Sequence, residues 1–279
     1  MIGKDIQMIK PNSSLKEKYL HELEANLWEA WANFGKGKNS ELHEDKNVIW
    51  YRTPLSTIPY NAVLKFQLNE NVDKEIDQII EKLSKDRHQF IWVVTPSSEP
   101  KDLAKRLKKR GLIEIEVMPG MARTTSNLPD TPEIPPGIEI KEVKEQQGKQ
   151  ELIEFAVWRW SVSQENIGIY EDVIAPFQIG HPESKISFWQ AWKDGEPVSK
   201  VAINRSENSV GIYAVATKPK ARRMGLARLL TLHALHEMRK EGYEIAVLHS
   251  TPMAETLYAS MGFEKQVDFY LFASTNTHI

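Results

Sequence analysis

The sequence predicts an α/β (α+β) protein of two tandem domains, each a mixed β-sheet flanked by helices. Three observations lead there. The chain has 279 residues, more than a single domain of ~100 to 200 residues usually holds. Apolar strand-like runs alternate with amphipathic helical segments in both halves. Between the halves lies LPDTPEIPPG (Leu128–Gly137), whose four prolines remove backbone donors and push preceding residues into extended conformations. This break separates residues 1–129 from 138–279, with 130–137 as the linker.

In the first half, Ser14 and Glu17 form a capping-box pattern ahead of Leu20, Leu23, Leu27, Trp31 and Phe34, which recur at helical spacing as far as Gly35. NVIWYR and NAVLKFQL read as strands. Val72, Ile76, Ile79, Ile80 and Leu83 mark a second amphipathic helix, FIWVVTP a buried strand, and DLAKRLKKRG a short helix closed by Gly111.

After the linker, GIEIKEV reads as a strand, and Lys149 to Trp160 and Gln164 to Phe177 as helices. KISFWQAWKDGEPVSKVAI places Asp194-Gly195 between two runs of strand formers, a specific hairpin signal, and VGIYAVAT supplies the next strand. A long helix is expected from Arg222 to Glu241, with Leu226, Leu229, Leu230, Ala234 and Met238 on one face. EIAVLHS is a buried strand. Thr251-Pro252 reads as an N-cap followed by proline at the first helical position, Gly262 ends that helix, and QVDFYLFAS is the last strand.

The halves echo each other weakly. FIWVVTPSSEPKDLAKRLKKRGL and EIAVLHSTPMAETLYASMGF both run from an apolar strand, through a proline-containing turn, to a short helix ending in glycine. Aligning Gly111 with Gly262 sets Leu107 opposite Tyr258. A duplication is expected, with the chemistry in the second copy.

Composition excludes several classes. Apolar residues make up 41% and charged residues 27%, as in ordinary globular proteins. Lys plus Arg (36) nearly cancels Asp plus Glu (38), giving a net charge of -2, so no global field favours nucleic acid or an acidic membrane. No run approaches the ~20 apolar residues of a membrane span, and the opening MIGKDIQMIKPNSS lacks the apolar core of a signal peptide, so a cytoplasmic location is expected. Without cysteine there is no disulfide, thiolate metal site or cysteine nucleophile. Trp158, Trp160, Trp189, Trp192 and Tyr213 either fill the core or line a ligand cleft.

The informative stretch is VGIYAVATKPKARRMGLARLLTLHAL, a strand entering a helix through a basic turn. A helix N-terminus offers unsatisfied N–H groups and a partial positive charge, and Gly225 lets a ligand approach the backbone. Lys218, Lys220, Arg222, Arg223 and Arg228 crowd that terminus, where they oppose the helix dipole unless an anion joins them. A diphosphate suits the site; the bland alternative is a solvated basic turn. Other nucleotide loops fit worse: GxxxxGK[ST] and a helix-opening GxGxxG are absent, and FGKGKNS (Phe34 to Ser40) follows a helix and reads as a cap and loop.

These residues resemble the GNAT superfamily of N-acetyltransferases. The acyl-CoA signature [QR]-x-x-G-x-[GA] is matched by Arg222-Arg223-Met224-Gly225-Leu226-Ala227, after the strand ending Val215-Ala216-Thr217-Lys218-Pro219. The second signature is matched by Leu257-Tyr258-Ala259-Ser260-Met261-Gly262-Phe263. The resemblance covers roughly Gly137 to Phe272, and more faintly the first domain, which looks like a degenerate copy of the same fold. One departure is Thr251, where many members have Asn.

The resemblance implies a GNAT-like fold with acetyl-CoA as cosubstrate. Backbone N–H groups from Arg223 to Ala227, with Arg222 and Arg228 beside them, would hold the CoA diphosphate. Val215 and Thr217 would pair with the pantetheine arm in a gap between the strands at Val210 and Ile245, the Val215 N–H facing the thioester oxygen. Tyr258 would protonate the departing thiolate, a role suited to a phenol of pKa near ~10; packing on the sheet is its bland alternative. The general base is open: Glu154, Glu165, Glu171 and Asp172 lie on helices expected to flank the acceptor, His249 sits near the site, and water is a further choice. His233 and His236 lack an HExxH context, so no metal is expected.

The leading functional expectation is acetyl transfer to a primary amine of a small molecule. The alternatives are a protein or peptide N-acetyltransferase and a non-catalytic acyl-CoA sensor or scaffold. No nucleic-acid or membrane partner is expected, and self-association into a homodimer is one role left open to the first half.

Overall fold

In the computed structural model, residues 14–160 and 162–274 are described, without the side chains of Ala156, Arg159 and Trp160. The first half runs α1 (Leu15–Ala32), β1 (Glu41–Glu44), β2 (Val48–Arg52), β3 (Ala62–Phe66), α2 (Val72–Ser84), β4 (Ile91–Val94), α3 (Leu103–Lys109) and β5 (Ile113–Thr124). The second runs β6 (Ile138–Glu142), α4 (Gln146–Trp160), α5 (Ile167–Ile174), β7 (Ile186–Lys193), β8 (Glu196–Arg205), β9 (Val210–Thr217), α6 (Leu226–Lys240), β10 (Ile245–His249), α7 (Glu255–Ala259) and β11 (Glu264–Ala273). Residues 125–137 carry neither helix nor strand.

Local chemistry explains most boundaries. The Ser14 hydroxyl accepts from the Glu17 N–H while the Glu17 carboxylate accepts from the Ser14 N–H at 2.7 Å, completing the capping box of α1. Asp194 (φ 52°) and Gly195 (φ 81°) both take the left-handed backbone of a tight hairpin between β7 and β8. Some helix ends shift by a few residues, α4 starting at Gln146 rather than Lys149, and two further differences bear on the site or the sheet. Helix α6 begins at Leu226 rather than Arg222, because Arg223 (φ 63°) and Gly225 (φ 74°) break the helical path. The short strand β1, ELHE, is exposed or half-buried throughout and gives no apolar signal.

The strands of the described residues join one 11-stranded sheet in the order β1-β2-β3-β4-β11-β5-β10-β9-β8-β7-β6. The centre of that order shows an exchange. Strands β5 and β11 pair antiparallel along their lengths. The end of β5 continues beside β10, from Thr124 opposite Ile245 to Gly120 opposite His249. The end of β11 continues beside β4, from Tyr270 opposite Val94 to Ala273 opposite Ile91. Each half therefore places its last strand in the sheet of the other.

The sequence echo has a geometric counterpart. Gly111 (φ 82°) and Gly262 (φ 84°) end α3 and α7 alike, with the Leu112 N–H donating to the Leu107 carbonyl (3.2 Å) and the Phe263 N–H to the Tyr258 carbonyl (3.1 Å). Helix α6 covers one face of β7, β8 and β9. Helix α1 covers the opposite face across the junction, packing on β2, β3, β5, β9, β10 and β11. Beneath it lies a core drawn from both halves, including Leu23, Leu27, Ile91, Val247, Phe269 and Leu271.

Candidate active site

Strands β9 and β10 are parallel neighbours over only three registered pairs, ending at Ile212 opposite Leu248. Beyond this they fork. A β-bulge in β9 accounts for the divergence: Lys200 opposes Ala216 and Ala202 opposes Tyr213, so Val201 alone faces Ala214 and Val215. Ala214 has φ 50°, and such a bulge bends and twists its strand. From Tyr213 to Thr217, β9 has β8 on one edge and no strand on the other, leaving Val215 and Thr217 on an edge open to an extended ligand.

Strand β9 leads into the basic loop. A 3-10 turn at Pro219–Ala221 is followed by Arg222 in extended conformation and then by left-handed Arg223 and Gly225 on either side of Met224. Left-handed residues alternating along a turn gather N–H groups into an anion-binding concavity. The first intrahelical bond runs from the Leu229 N–H to the Gly225 carbonyl (2.9 Å), so the N–H groups of Leu226, Ala227 and Arg228 precede the helical ladder. Among the described residues no side chain caps this terminus. A Cβ on Gly225 would meet nothing within 4 Å, so the space in front of the loop is open to a ligand.

The basic residues are less uniform than the sequence suggests. Lys220 is paired with Glu196, Lys218 Nζ lies 5.4 Å from the centre of the Phe155 ring, and Arg222 Nε donates to the Thr217 carbonyl (3.3 Å). Arg228 donates to the Ser260 carbonyl (3.1 Å) and hydroxyl (2.8 Å), tying α6 to α7. Arg223 is exposed and has no partner among the described residues. Met224 is half-buried and Leu226 is core.

Tyr258 lies on α7, its ring edge-on to Phe263 at 6.1 Å, in the core on the α6 side of the sheet. Burial alone pushes its phenol up to about 12, so it keeps its proton at neutral pH. The helix is held from the first half. Arg123 of β5 donates to the Met261 carbonyl, and also to the carbonyls of Thr124 (2.7 Å) and Asn127 (2.6 Å). A guanidinium at a helix C-terminus satisfies its last carbonyls and complements its dipole. Thr251 stands at the N-cap position before Pro252, but its side chain makes no capping bond.

The other sequence candidates fall elsewhere. Trp189 and Trp192 are buried, Trp189 against His233, and Trp158 is exposed beside Lys218 and Lys220 in a shallow depression. The Trp160 side chain lies outside the described residues. Glu154, Glu165 and Glu171 are exposed, and Asp172 pairs with Lys38 (3.4 Å). His236 hydrogen-bonds the Pro129 carbonyl (3.0 Å). Among the described residues no group of acidic or histidine side chains is arranged to hold a metal.

The first half lacks an equivalent opening. Strands β3 and β4 also pair briefly, at Ala62–Ile91 and Val63–Trp92. Past that point Trp28 of α1 donates its indole N–H to the Leu64 carbonyl (2.9 Å), and Glu24 accepts from the Ser97 N–H (2.8 Å). A bridge between Gln67 and Glu99 closes the far end. The first turn of α2 carries Asp73 and Glu75, acids that already answer its dipole. Leu107 replaces the tyrosine.

Residues 165–272 match the profile of the family described as Acetyltransferase (GNAT) domain. That match lies within the second half of the chain. That match and the shared fold support an acyltransferase. The fold extends over nearly the whole chain. A GCN5-related N-acetyltransferase from Kribbella flavida superposes with a TM-score of 0.65 at 17% identity, over 91% of this chain and 97% of that one. A tandem GNAT protein from the clavulanic acid biosynthesis pathway gives 0.59 at 10% identity, over 91% and 94%. A putative acetyltransferase of the GNAT family from Novosphingobium aromaticivorans gives 0.51 at 19% identity, over 84% and 91%. No curated protein sequence matches the chain. No helix among the described residues is long and apolar enough to cross a membrane.

Proposed function

We propose that the protein transfers the acetyl group of acetyl-CoA to a primary amine of a small molecule, by direct attack of the amine on the thioester. The observation that carries this reading is the β9–β10 fork, which joins an anion-binding loop at one end to a buried, protonated Tyr258 on the adjoining helix. The free N–H groups from Arg223 to Ala227, with Arg222, Arg223 and Arg228, suit the diphosphate. The open edge of β9 at Val215 and Thr217 suits the amides of the pantetheine arm, and a Val215 N–H directed at the thioester oxygen would stabilise the oxyanion. As the C–S bond breaks, Tyr258 would give its proton to the sulfur.

The preference for a small acceptor over a peptide rests on α1. It packs across β9 and β10 on the face opposite α6, and Tyr213 donates its hydroxyl to Asn26 of that helix (3.0 Å). A roof there favours an enclosed pocket over the long open groove a peptide needs. The first half thus encloses the site and completes the sheet, while acetyl-CoA binds in the second. The test is CoA release from acetyl-CoA across a panel of primary amines and lysine-bearing peptides. Turnover with small amines and not with peptides is expected; turnover confined to peptides would favour the protein-modifying alternative, and none at all would favour an acyl-CoA sensor.

A further inference from the structure

Where β9 and β10 part, the first residue of β10 past the last pair is His249, across the fork from Tyr213. Its side chain faces α1. Leu248 belongs to the core on the α6 side, as does Tyr258, whereas Val247 belongs to the core on the α1 side. The rings next to His249 confirm the side: Phe269 meets it edge-on at 4.5 Å, and Tyr213 stacks at 6.4 Å with 25° between planes. Tyr258 and His249 therefore flank the fork from opposite faces of the sheet.

The imidazole is chemically unfinished. Both Nδ1 and Nε2 are shut off from bulk water, and neither has a hydrogen-bond partner among the described residues. A buried polar atom left unpaired is costly, and among the described residues only His249 and Gln190 have two such atoms on one side chain. A packing role would not need them, since Phe269 and Tyr213 already supply apolar contact on both sides. Burial holds the ring neutral, its pKa down to about 3, so both the lone pair and the N–H are available to a ligand at physiological pH.

We propose that His249 is a catalytic residue that receives the proton of the acceptor amine, on the face of the sheet opposite Tyr258. This rests on the acetyl-transfer reading above. A neutral amine reaching the thioester carbon from the α1 side forms the N–C bond and passes one N–H proton to the unprotonated ring nitrogen of His249. The C–S bond then breaks, its electron pair stays on sulfur, and the Tyr258 hydroxyl proton passes to that sulfur. The products are the N-acetyl amine and CoA thiol. Once the N-acetyl amine and CoA have left, water entering the vacated fork takes the proton from His249 as Tyr258 regains one, so the cycle balances. The same burial that leaves the ring unpaired makes it shed the proton readily and resets it for the next turnover.

The experiment begins with wild-type turnover on tyramine, spermidine, glucosamine and a lysine-bearing peptide, followed by CoA release. No turnover with any of them overturns both the acetyl-transfer reading and this assignment. With turnover, His249→Phe keeps a ring between Phe269 and Tyr213 but removes both nitrogens. Its kcat is expected to fall about 100-fold or more, while its Kd for acetyl-CoA, by calorimetry, stays within about 3-fold of wild type. His249→Ala is expected to recover at least about 10-fold in kcat when imidazole is added, a rescue that a packing role would not give. Unchanged kcat in the Phe variant, or a loss in the Ala variant that imidazole leaves in place, overturns the assignment and leaves acetyl transfer standing. Should one variant fail to fold by circular dichroism, the other decides.

Discussion

Cutting the chain at the proline-rich linker tests the strand exchange. A fragment of residues 138–279 keeps every residue of the proposed CoA site but loses β5, and with it the strand between β10 and β11. It also loses α1, which with first-half strands buries Val247, Phe269 and Leu271. Each such side chain contributes about 1.5 to 3 kcal/mol when fully buried, so the three together amount to about 5 to 9 kcal/mol. Domain stabilities are about 5 to 15 kcal/mol, and the fragment further loses the Arg123 contacts that close α7. It should therefore lack a cooperative thermal transition and bind no acetyl-CoA, whereas co-expression with residues 1–137 should restore both. The assays are differential scanning calorimetry and calorimetric titration. A lone 138–279 fragment that melts cooperatively and binds acetyl-CoA as tightly as the full chain would refute the reasoning.

Three further outcomes are expected. Gly225→Val should abolish acetyl-CoA binding by filling the open space before the loop, Gly225→Asn should weaken it less because Asn tolerates the left-handed backbone, and Arg222→Ala should cost about 1.5 to 3 kcal/mol of binding as one charge-assisted contact; equal, wild-type affinity in all three would make the loop a mere turn. Because Trp28 and the Gln67–Glu99 bridge close the first-half fork, titration should give one acetyl-CoA per chain, and two equivalent sites would contradict this. His249 has a folded pKa of about 3, below its usual 6.5, so its contribution to stability is full above pH 6.5 and is lost as pH falls towards 3, by at most about 1.4 kcal/mol per pH unit. Urea unfolding at pH 7, 5 and 4 should show wild type losing more stability than His249→Phe, and parallel losses would contradict the burial of a neutral ring.

The parts of the site that were legible in the sequence are local ones. The Asp194-Gly195 hairpin, the Ser14–Glu17 box, the basic loop at Gly225 and the Tyr258–Gly262 helix end each declare themselves within a few residues, because backbone sign and capping chemistry act at that range. Partnership between strands does not. The run QVDFYLFAS marks β11 as a strand, but nothing within β5 or β11 says that each ends in the other half's sheet. The bulge at Ala214 carries no glycine or proline to announce it, and Arg123 reads as a surface cation until β5 is beside β10. One long-range contact did leave a signal: Gly211, a glycine inside a strand, sits where a Cβ would collide with the Asn26 amide oxygen of α1. Asn26 itself is wholly buried and bonds Ser206, Ser209, Asn204 and Tyr213, joining the first half to the strand that forks.

The central claim is that this fork is a catalytic acetyl-transfer site, and kcat of Tyr258→Phe tests it most directly. The substitution removes one oxygen and leaves the ring against Phe263, so stability and affinity for acetyl-CoA should hold. With the phenol held up to about 12, wild-type kcat should show no loss from this group between pH 6 and 10. In the variant kcat should fall about 100- to 10,000-fold across that range, as expected for loss of a general acid. A Phe variant that turns over any accepted amine at the wild-type kcat would contradict the account.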